Sequence, residues 1–163
     1  MEKTKAQSVW GILRITLGLI LLWSFFDKLF GLGFDTVTDK SWLAGNSPTV
    51  GFLKFGTDGP LASFYQNIAG NALVDWLFML GLLLVGMALI LGIGMRIAGF
   101  SGSLMMLLLW SAVLPKVHNP ILDEHIIYIL VLLGLTYSDA GRFIGLGNWW
   151  QNTQLVKKYP FLK

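Results

Sequence analysis

The sequence WLFMLGLLLVGMALILGIGMRIAGFSGSLMMLLLWSAVL, residues Trp76–Leu114, contains a single charge, Arg96. On either side of Arg96 lies an apolar run of about 20 residues, the length that a helix needs to cross a hydrocarbon core of roughly 30 Å. Arg96 follows a glycine-rich turn that begins at Gly92. We therefore predict two membrane-spanning helices in a tight hairpin, with Arg96 at the turn.

The composition of the whole chain supports a membrane protein. Of the 163 residues, 55% are hydrophobic and only 13% are charged, whereas soluble domains carry about 25% charged residues. We predict one integral membrane domain, residues 1–163. The chain has no cysteine, which excludes disulfides, thiol relays and cysteine-bound iron–sulfur clusters. The basic residues are spread around the apolar segments, which argues against a nucleic-acid partner.

Apolar segments of suitable length predict four spans, at approximately residues 9–30, 75–95, 97–114 and 120–137. The first is not followed by a small-residue cleavage site, so we interpret it as an uncleaved anchor. Arg14 lies inside this span, and we expect it to snorkel toward the polar N-terminal tail. Asn119 and Pro120 are typical of an N-cap and a first helical residue, and they predict the start of the fourth span.

Residues 31–74 connect the first two spans, and we predict that they fold as a cap. A short helix is expected over Thr36–Leu43. A second, amphipathic helix is expected over residues 60–69, because Leu61, Phe64, Tyr65 and Ile68 recur at helical spacing. A disordered loop is the alternative, and the aromatic content of the segment argues against it.

Small residues lie at helical spacing near the start of the third span: Ala98, Gly99, Gly102 and Ser103. They allow another helix to approach closely. This face serves either packing within the chain or a homo-oligomer, and the sequence leaves both open.

The basic residues predict the orientation of the spans. Eight are expected on one side of the membrane: Lys3, Lys5, Arg14, Arg96, Arg142, Lys157, Lys158 and Lys163. Four are expected on the other: Lys28, Lys40, Lys54 and Lys116. The positive-inside rule then predicts both termini in the cytoplasm. Residues 138–163, which combine tryptophans with lysines, are expected to form a cytoplasmic interfacial tail.

The predicted all-α four-helix bundle brings polar residues from two spans to its extracytoplasmic end. These are Asp27 and Lys28 from the first span, and Asp123, Glu124, His125 and Tyr128 from the fourth. Lys28 would pair with Asp123 or Glu124, and His125 would pass a proton. The alternative is an interface anchor and a charged first helical turn. His118 and His125 come from one short segment, so we predict no metal site.

Four sequence patterns resemble the DoxX/DoxD family of membrane proteins, and the DoxD-type subunit of thiosulfate:quinone oxidoreductase most closely. They are LLWSFFDKLFGLGF, WLAGNSPTVGFL, NPILDEHIIYILVLLGL and SDAGRFIGLGNWW. The similarity covers roughly residues 9–150. It implies a four-helix bundle in a prokaryotic plasma membrane, oxidation of thiosulfate to tetrathionate with electrons passed to quinone, and a second small subunit.

Under this resemblance each candidate residue has an expected role. The catalytic group is Lys28, Asp123, Glu124 and His125, and the quinone-binding group is Asp27, Trp110 and Tyr128. Lys28 and protonated His125 would attract the anionic substrate, helped by Lys54 or Lys116. No haem, flavin or iron–sulfur motif is present in the sequence. Two other functions remain open: a non-catalytic scaffold or oligomerising subunit for a redox partner, and a bundle that binds a small solute or lipid.

Overall fold

The computed structural model describes residues 5–115, 119 and 121–163. Over these residues the chain is helical and contains no strand. Eight α-helices occur in order: α1 (Lys5–Phe30), α2 (Val50–Phe55), α3 (Ala62–Asn67), α4 (Ala72–Leu91), α5 (Met95–Ala112), α6 (Glu124–Tyr137), α7 (Gly147–Gln151) and α8 (Gln154–Lys158). Short 3₁₀ helices lie at Thr38–Lys40, Gly59–Leu61, Ala140–Arg142 and Pro160–Leu162.

Three of these helices, α1, α4 and α5, are long and apolar enough to cross a membrane. The prediction of the hairpin is confirmed as two helices joined by a tight turn. Gly92 caps α4 with φ of 75°, a left-handed conformation that glycine adopts without strain. The turn is therefore fixed by local backbone geometry and by the lengths of the two apolar runs.

The predicted start of the fourth helix is wrong. The helix begins at Glu124 with Asp123 as its N-cap, and its 14 residues extend only about 21 Å. The helix does not begin earlier because the Ile121 carbonyl accepts a hydrogen bond from Trp110 Nε1 at 2.7 Å. In a helix this carbonyl would accept a later backbone N–H instead. Asn119 Oδ1 closes a separate turn with the Ile121 and Leu122 amides. Pro120 lies outside the described residues.

The core contains buried side chains from all four of the longer apolar helices, including Leu21 of α1, Met79 of α4, Met106 of α5 and Leu132 of α6. α4 packs against α1 and α5, and α6 packs against α5. The close α1–α4 approach occurs where Gly18 faces Gly86, since a Cβ at Gly18 would lie 2.9 Å from the Gly86 carbonyl oxygen.

The small-residue face of α5 is covered within the chain. A Cβ at Gly99 would overlap Thr136 Oγ1 of α6, and one at Gly102 would lie 3.2 Å from Leu132. Of the two roles predicted for this face, the structure supports the packing of α5 against α6. A homo-oligomer would need a different surface.

The outer faces of the longer helices expose many large apolar side chains, including Leu19 and Ile20 of α1, Leu77 and Leu84 of α4, Leu104 and Leu108 of α5, and Leu130 of α6. Continuous apolar surface of this kind is unfavourable in water and suits a lipid environment. The surface and the helix lengths together indicate membrane association.

Residues 31–71 form a folded cap over one end of the helices, which we call the cap end. Leu53 and Tyr65 of the cap are buried together with Ala112 of α5. Tyr65 Oη donates to the Leu108 carbonyl at 3.0 Å and lies 2.5 Å from Ser111 Oγ. The prediction of a folded cap is confirmed.

The predicted helices of the cap are confirmed only in part. A 3₁₀ turn replaces the expected helix over Thr36–Leu43, and α3 is shorter than the expected helix over residues 60–69. Of the predicted apolar stripe, Tyr65 is buried, whereas Leu61 and Phe64 are exposed. The helix therefore contacts the bundle along a narrower face than the sequence pattern indicates.

The opposite end, which we call the tail end, contains the hairpin turn and residues 138–163. The tail folds back onto the hairpin: the Leu146 amide donates to the Leu91 carbonyl at 2.8 Å, and the Arg96 amide donates to the Lys163 carbonyl at 2.8 Å. Val156 is buried, and Trp149 and Phe161 are exposed. The tail is folded against the hairpin turn, and its predicted location at a membrane interface stays a prediction.

Arg14 corrects a prediction at the tail end, because its side chain is fully buried and does not snorkel. Its Nη1 donates to the Leu89 and Ile90 carbonyls at the C-terminus of α4. Its Nη2 donates to the carbonyls of Phe143 (3.1 Å) and Ile144 (3.0 Å) in the tail. The guanidinium thus joins three separate segments, and the partial negative charge at the end of α4 favours it there.

Candidate functional site

The start of α6 holds a hydrogen-bonded carboxylate–imidazole pair. Asp123 Oδ2 lies 2.8 Å from His125 Nδ1, and Asp123 Oδ1 accepts the His125 backbone N–H at 3.1 Å. The Asp123 carboxylate therefore caps the helix with one oxygen and orients the imidazole ring of His125 with the other. The side chain of Asp123 is 6% exposed and that of His125 17% exposed, so the pair is sheltered and still reachable.

The pairing assigns different roles to the two ring nitrogens of His125. Nδ1 faces the carboxylate, which favours a proton on that nitrogen. Nε2 is then the nitrogen that accepts a proton from a bound molecule and, in the imidazolium form, returns it. A carboxylate also stabilises the imidazolium that forms. This arrangement is suited to proton transfer.

Three other predicted residues lie on the elements around this pair. Glu124 is exposed, and its carboxylate lies within 4.8 Å of the ligand atoms of Asp123 and His125. Tyr128 follows His125 by one helical turn and packs against the main core. Trp110 fixes the approach to α6 through its bond to the Ile121 carbonyl. Four of the seven candidate residues, Asp123, Glu124, His125 and Tyr128, thus lie at the start of α6, and Trp110 is linked to the connection just before them.

The same carboxylates and imidazole are the described side chains that could hold a divalent cation. Their donor atoms come from three consecutive residues, and Asp123 already uses both oxygens within the turn. His118, the other histidine of the chain, lies outside the described residues, as does Lys116.

Lys28 does not form the predicted ion pair with Asp123 or Glu124 among the residues that the structure describes. It lies half-buried in the last turn of α1, at the cap end. Its carbonyl accepts the Trp42 backbone N–H at 2.9 Å, which ties the cap to α1. α1 packs mainly against α4, and α6 mainly against α5. α1 also contacts α6 at Trp10 and Gly134, which lie far along the two helices from Lys28 and Asp123.

Asp27 serves the fold of the cap. Its buried carboxylate accepts three backbone N–H groups, those of Phe34 (3.3 Å), Asp35 (3.1 Å) and Thr36 (2.9 Å). All of these bonds form within the turn that follows α1. This geometry gives Asp27 a structural role in the cap, and its predicted contact with quinone stays a prediction. The sequence pattern that could have indicated this turn is a carboxylate followed by two glycines, Gly31 and Gly33. In the structure both glycines have positive φ.

Asp75 is a buried carboxylate that the sequence reasoning passed over. Its Oδ1 accepts hydrogen bonds from Ser47 Oγ at 2.8 Å and Thr49 Oγ1 at 2.5 Å. Asp75 lies in the first turn of α4, so these bonds fasten the cap to a membrane-length helix. The donors precede Asp75 by more than 25 residues, and no local pattern indicates them.

The resemblance to DoxX/DoxD proteins gains no support from comparisons with known proteins. No protein-family model matches the chain, and neither a curated protein nor a solved structure is significantly similar to it. The resemblance therefore stays a prediction. The feature of the described residues that is best suited to chemistry is the Asp123–His125 pair at the cap end.

Proposed function

We propose that the chain is the membrane subunit of a quinone-linked oxidoreductase, with the Asp123–His125 pair as its proton-exchange site. The observation that carries the proposal is the 2.8 Å distance between the Asp123 carboxylate and His125 Nδ1. Reduction of a quinone consumes protons as well as electrons, so its site needs a group that can deliver a proton. A sheltered carboxylate–imidazole pair supplies such a group.

The proposed setting is a four-helix bundle of a prokaryotic plasma membrane, with both termini in the cytoplasm. Three membrane-length helices support it, and so does the packing of α6 against α5. Among the described residues, the tail end carries seven basic residues and one acidic residue, and the cap end carries three basic and seven acidic ones. By the positive-inside rule this charge distribution favours a cytoplasmic tail end.

The residues near His125 fit a quinone in their chemistry. A quinone bound there would supply the acceptor for two electrons and two protons. His125 Nε2 is placed to hold and donate a proton, while Asp123 holds the ring and stabilises its charged form. Tyr128, one turn further along α6, packs on the apolar core, and its hydroxyl forms no hydrogen bond within the described chain. Its phenol adds a second donor at the boundary of the apolar region.

The proposed electron donor is thiosulfate, as the resemblance implies. Joining two thiosulfate ions through a new S–S bond releases two electrons. Lys28 is a half-buried cation at the same end of the molecule, without an ion pair among the described residues, and it is the proposed anion-binding group. A second small subunit, absent from this chain, is the proposed partner.

The proposal is tested by extracting the purified protein and searching for quinone by mass and absorbance. Thiosulfate-dependent quinone reduction is then measured with and without the partner. We expect Lys28→Gln to raise the KM for thiosulfate about fivefold, since one ion pair at a partly buried site contributes on the order of 1 kcal/mol. Lys40→Gln, an exposed change in the cap, is the matched control. Absence of both bound quinone and turnover would refute the proposal.

A non-catalytic scaffold is the second candidate. It is favoured by the fact that the fully buried charges Arg14 and Asp27 are bound by backbone groups, and the buried Asp75 by two hydroxyls. Such charges stabilise structure and leave little for chemistry. Stable co-purification of a redox partner, without quinone and without turnover, would support this function over the first.

A further inference from the structure

The tail end has a polar groove that the proposed redox chemistry does not use. It is lined by Arg142, Asn148, Gln151, Asn152 and Lys163. Every one of these side chains carries N–H donors, two are cationic, and none is a carboxylate. A groove of this composition is suited to an anion with several oxygen acceptors.

Arg142 is held in place on the wall of the groove. Its Nε, at 3.0 Å, and its Nη2 both donate to Gln151 Oε1. Because these hydrogen bonds use the amide oxygen of Gln151, the amide nitrogen is left as a donor. Asp139 is the acidic group facing Arg142, with 3.7 Å between Asp139 Oδ2 and Nη2, and both side chains are well exposed. The carboxylate therefore offsets the charge of Arg142 only weakly.

Lys163 supplies the second charge. Its carbonyl accepts the Arg96 amide at 2.8 Å, which anchors the end of the tail against α5. Its ammonium forms no hydrogen bond in the part of the chain that the structure describes. Asn152 Nδ2 donates to the Asn148 carbonyl at 2.8 Å, and its other N–H stays available.

The surroundings of the groove favour a lipid as the source of the anion. Trp149 and Phe161, which adjoin the groove residues in sequence, are 63% and 60% exposed, and Leu155 is also exposed. Aromatic side chains beside cations are typical of the headgroup level of a membrane. Lys157 and Lys158 add positive charge to the same end. We propose that this groove binds the phosphate of an anionic phospholipid.

The test is a titration of the full-length protein in detergent, with bound lipid counted by native mass spectrometry. The probes are short-chain phosphatidylglycerol, phosphatidylcholine and inorganic phosphate. We expect phosphatidylglycerol to bind at least about tenfold more tightly than phosphatidylcholine, because attraction of an anionic headgroup is worth about fivefold for each cation. Inorganic phosphate at equal concentration should not displace it. Equal binding of the two lipids, or displacement by free phosphate, would overturn the proposal.

Three double variants remove the same charge from different places. The groove variant Arg142→Gln/Lys163→Gln should weaken phosphatidylglycerol binding about 25-fold, by the same contribution of each cation. Lys157→Gln/Lys158→Gln, at the same end and outside the groove, should weaken it less than about threefold, and Lys40→Gln/Lys54→Gln, in the cap, should not change it. An equal loss in the first two variants would show diffuse attraction and overturn the groove as a site.

The single variant Lys163→Gln keeps the test valid if removal of Arg142 loosens the tail. Its ammonium has no bond to lose among the described residues, so the fold should be unaffected. We expect phosphatidylglycerol binding to fall about fivefold at an unchanged unfolding temperature. Unchanged binding would contradict the assignment. The phospholipid proposal and the redox proposal concern different residues. Neither result of the lipid titration therefore decides whether the protein reduces quinone.

Discussion

The cap end and the tail end of the molecule bury charges of opposite sign, and at both ends hydrogen bonds to neutral groups hold the charge in place of a partner ion. At the cap end, Asp27 is bound by three backbone N–H groups and Asp75 by two hydroxyls. At the tail end, Arg14 is bound by four carbonyls. Each buried charge fastens a peripheral segment to a long helix.

The two ends differ in the ionisable side chains that remain available once these hydrogen bonds are made. The cap end keeps the sheltered Asp123–His125 pair, whose proton can be exchanged. At the tail end, the described ionisable side chains other than Arg14 are exposed or line the polar groove. The comparison teaches that burial alone does not identify a reactive group. The groups suited to chemistry here are those that hydrogen bonding orients while one atom remains reachable.

The largest effect is expected from Arg14→Met at the tail end. The change leaves four carbonyls without their donor, and unsatisfied buried groups of this kind should lower the free energy of unfolding by about 3–5 kcal/mol. Reversible unfolding in mixed micelles, followed by helical circular dichroism, measures it. Arg96→Met, an exposed arginine of the same end, is the control and should change stability by less than about 1 kcal/mol. Equal stability of the two variants would contradict the proposed role of Arg14 in joining the segments.

Asp27→Asn tests the corresponding hydrogen bonds at the cap end. The amide keeps the size of the side chain, but it loses the charge and turns an NH₂ group toward backbone donors. We expect the free energy of unfolding to fall by about 2 kcal/mol. Asp35→Asn, whose side chain is exposed in the same loop, should have little effect. A destabilisation no larger than that of the control would show that the three N–H groups contribute little.

Tyr65→Phe is expected to have a smaller effect on the docking of the cap. It removes the hydroxyl that bonds to Leu108 and Ser111, and one hydrogen bond of this kind is worth about 1 kcal/mol. The cap should also become more susceptible to limited proteolysis. Tyr159→Phe, at the tail end, is the matched control. Cap cleavage that is as slow in Tyr65→Phe as in the control would argue that the hydroxyl does not hold the cap.

Much of the helical architecture could be predicted because hydropathy acts locally. The apolar runs on either side of Arg96 become α4 and α5 within a few residues of the expected bounds. The start of α6 could not be predicted in this way. Asn119 and Asp123 are equally good N-caps by residue type, and the choice depends on Trp110, which binds the Ile121 carbonyl across the connection.

The buried charges were beyond sequence reasoning for a related reason. Arg14 lies roughly 14 Å along α1 from its first residue, at 1.5 Å a residue, which is too deep for ordinary snorkelling. Its acceptors, however, are 75 to 130 residues distant in the chain. The Asp123–His125 pair was accessible to prediction as a group because both residues lie in one helical turn. The predicted ion pair with Lys28 required the end of α1 to meet the start of α6, whereas α1 contacts α6 near the opposite ends of these helices, at Trp10 and Gly134.

The rate of thiosulfate-dependent quinone reduction by the His125→Gln protein tests the central claim most directly. Glutamine removes the proton-exchanging ring and leaves the Asp123 cap on the His125 backbone N–H in place. We predict a rate at least about 100-fold below that of the unchanged chain, the usual contribution of a general acid or base, with the free energy of unfolding unchanged within about 1 kcal/mol. A His125→Gln protein that reduces quinone at the unchanged rate would contradict the account.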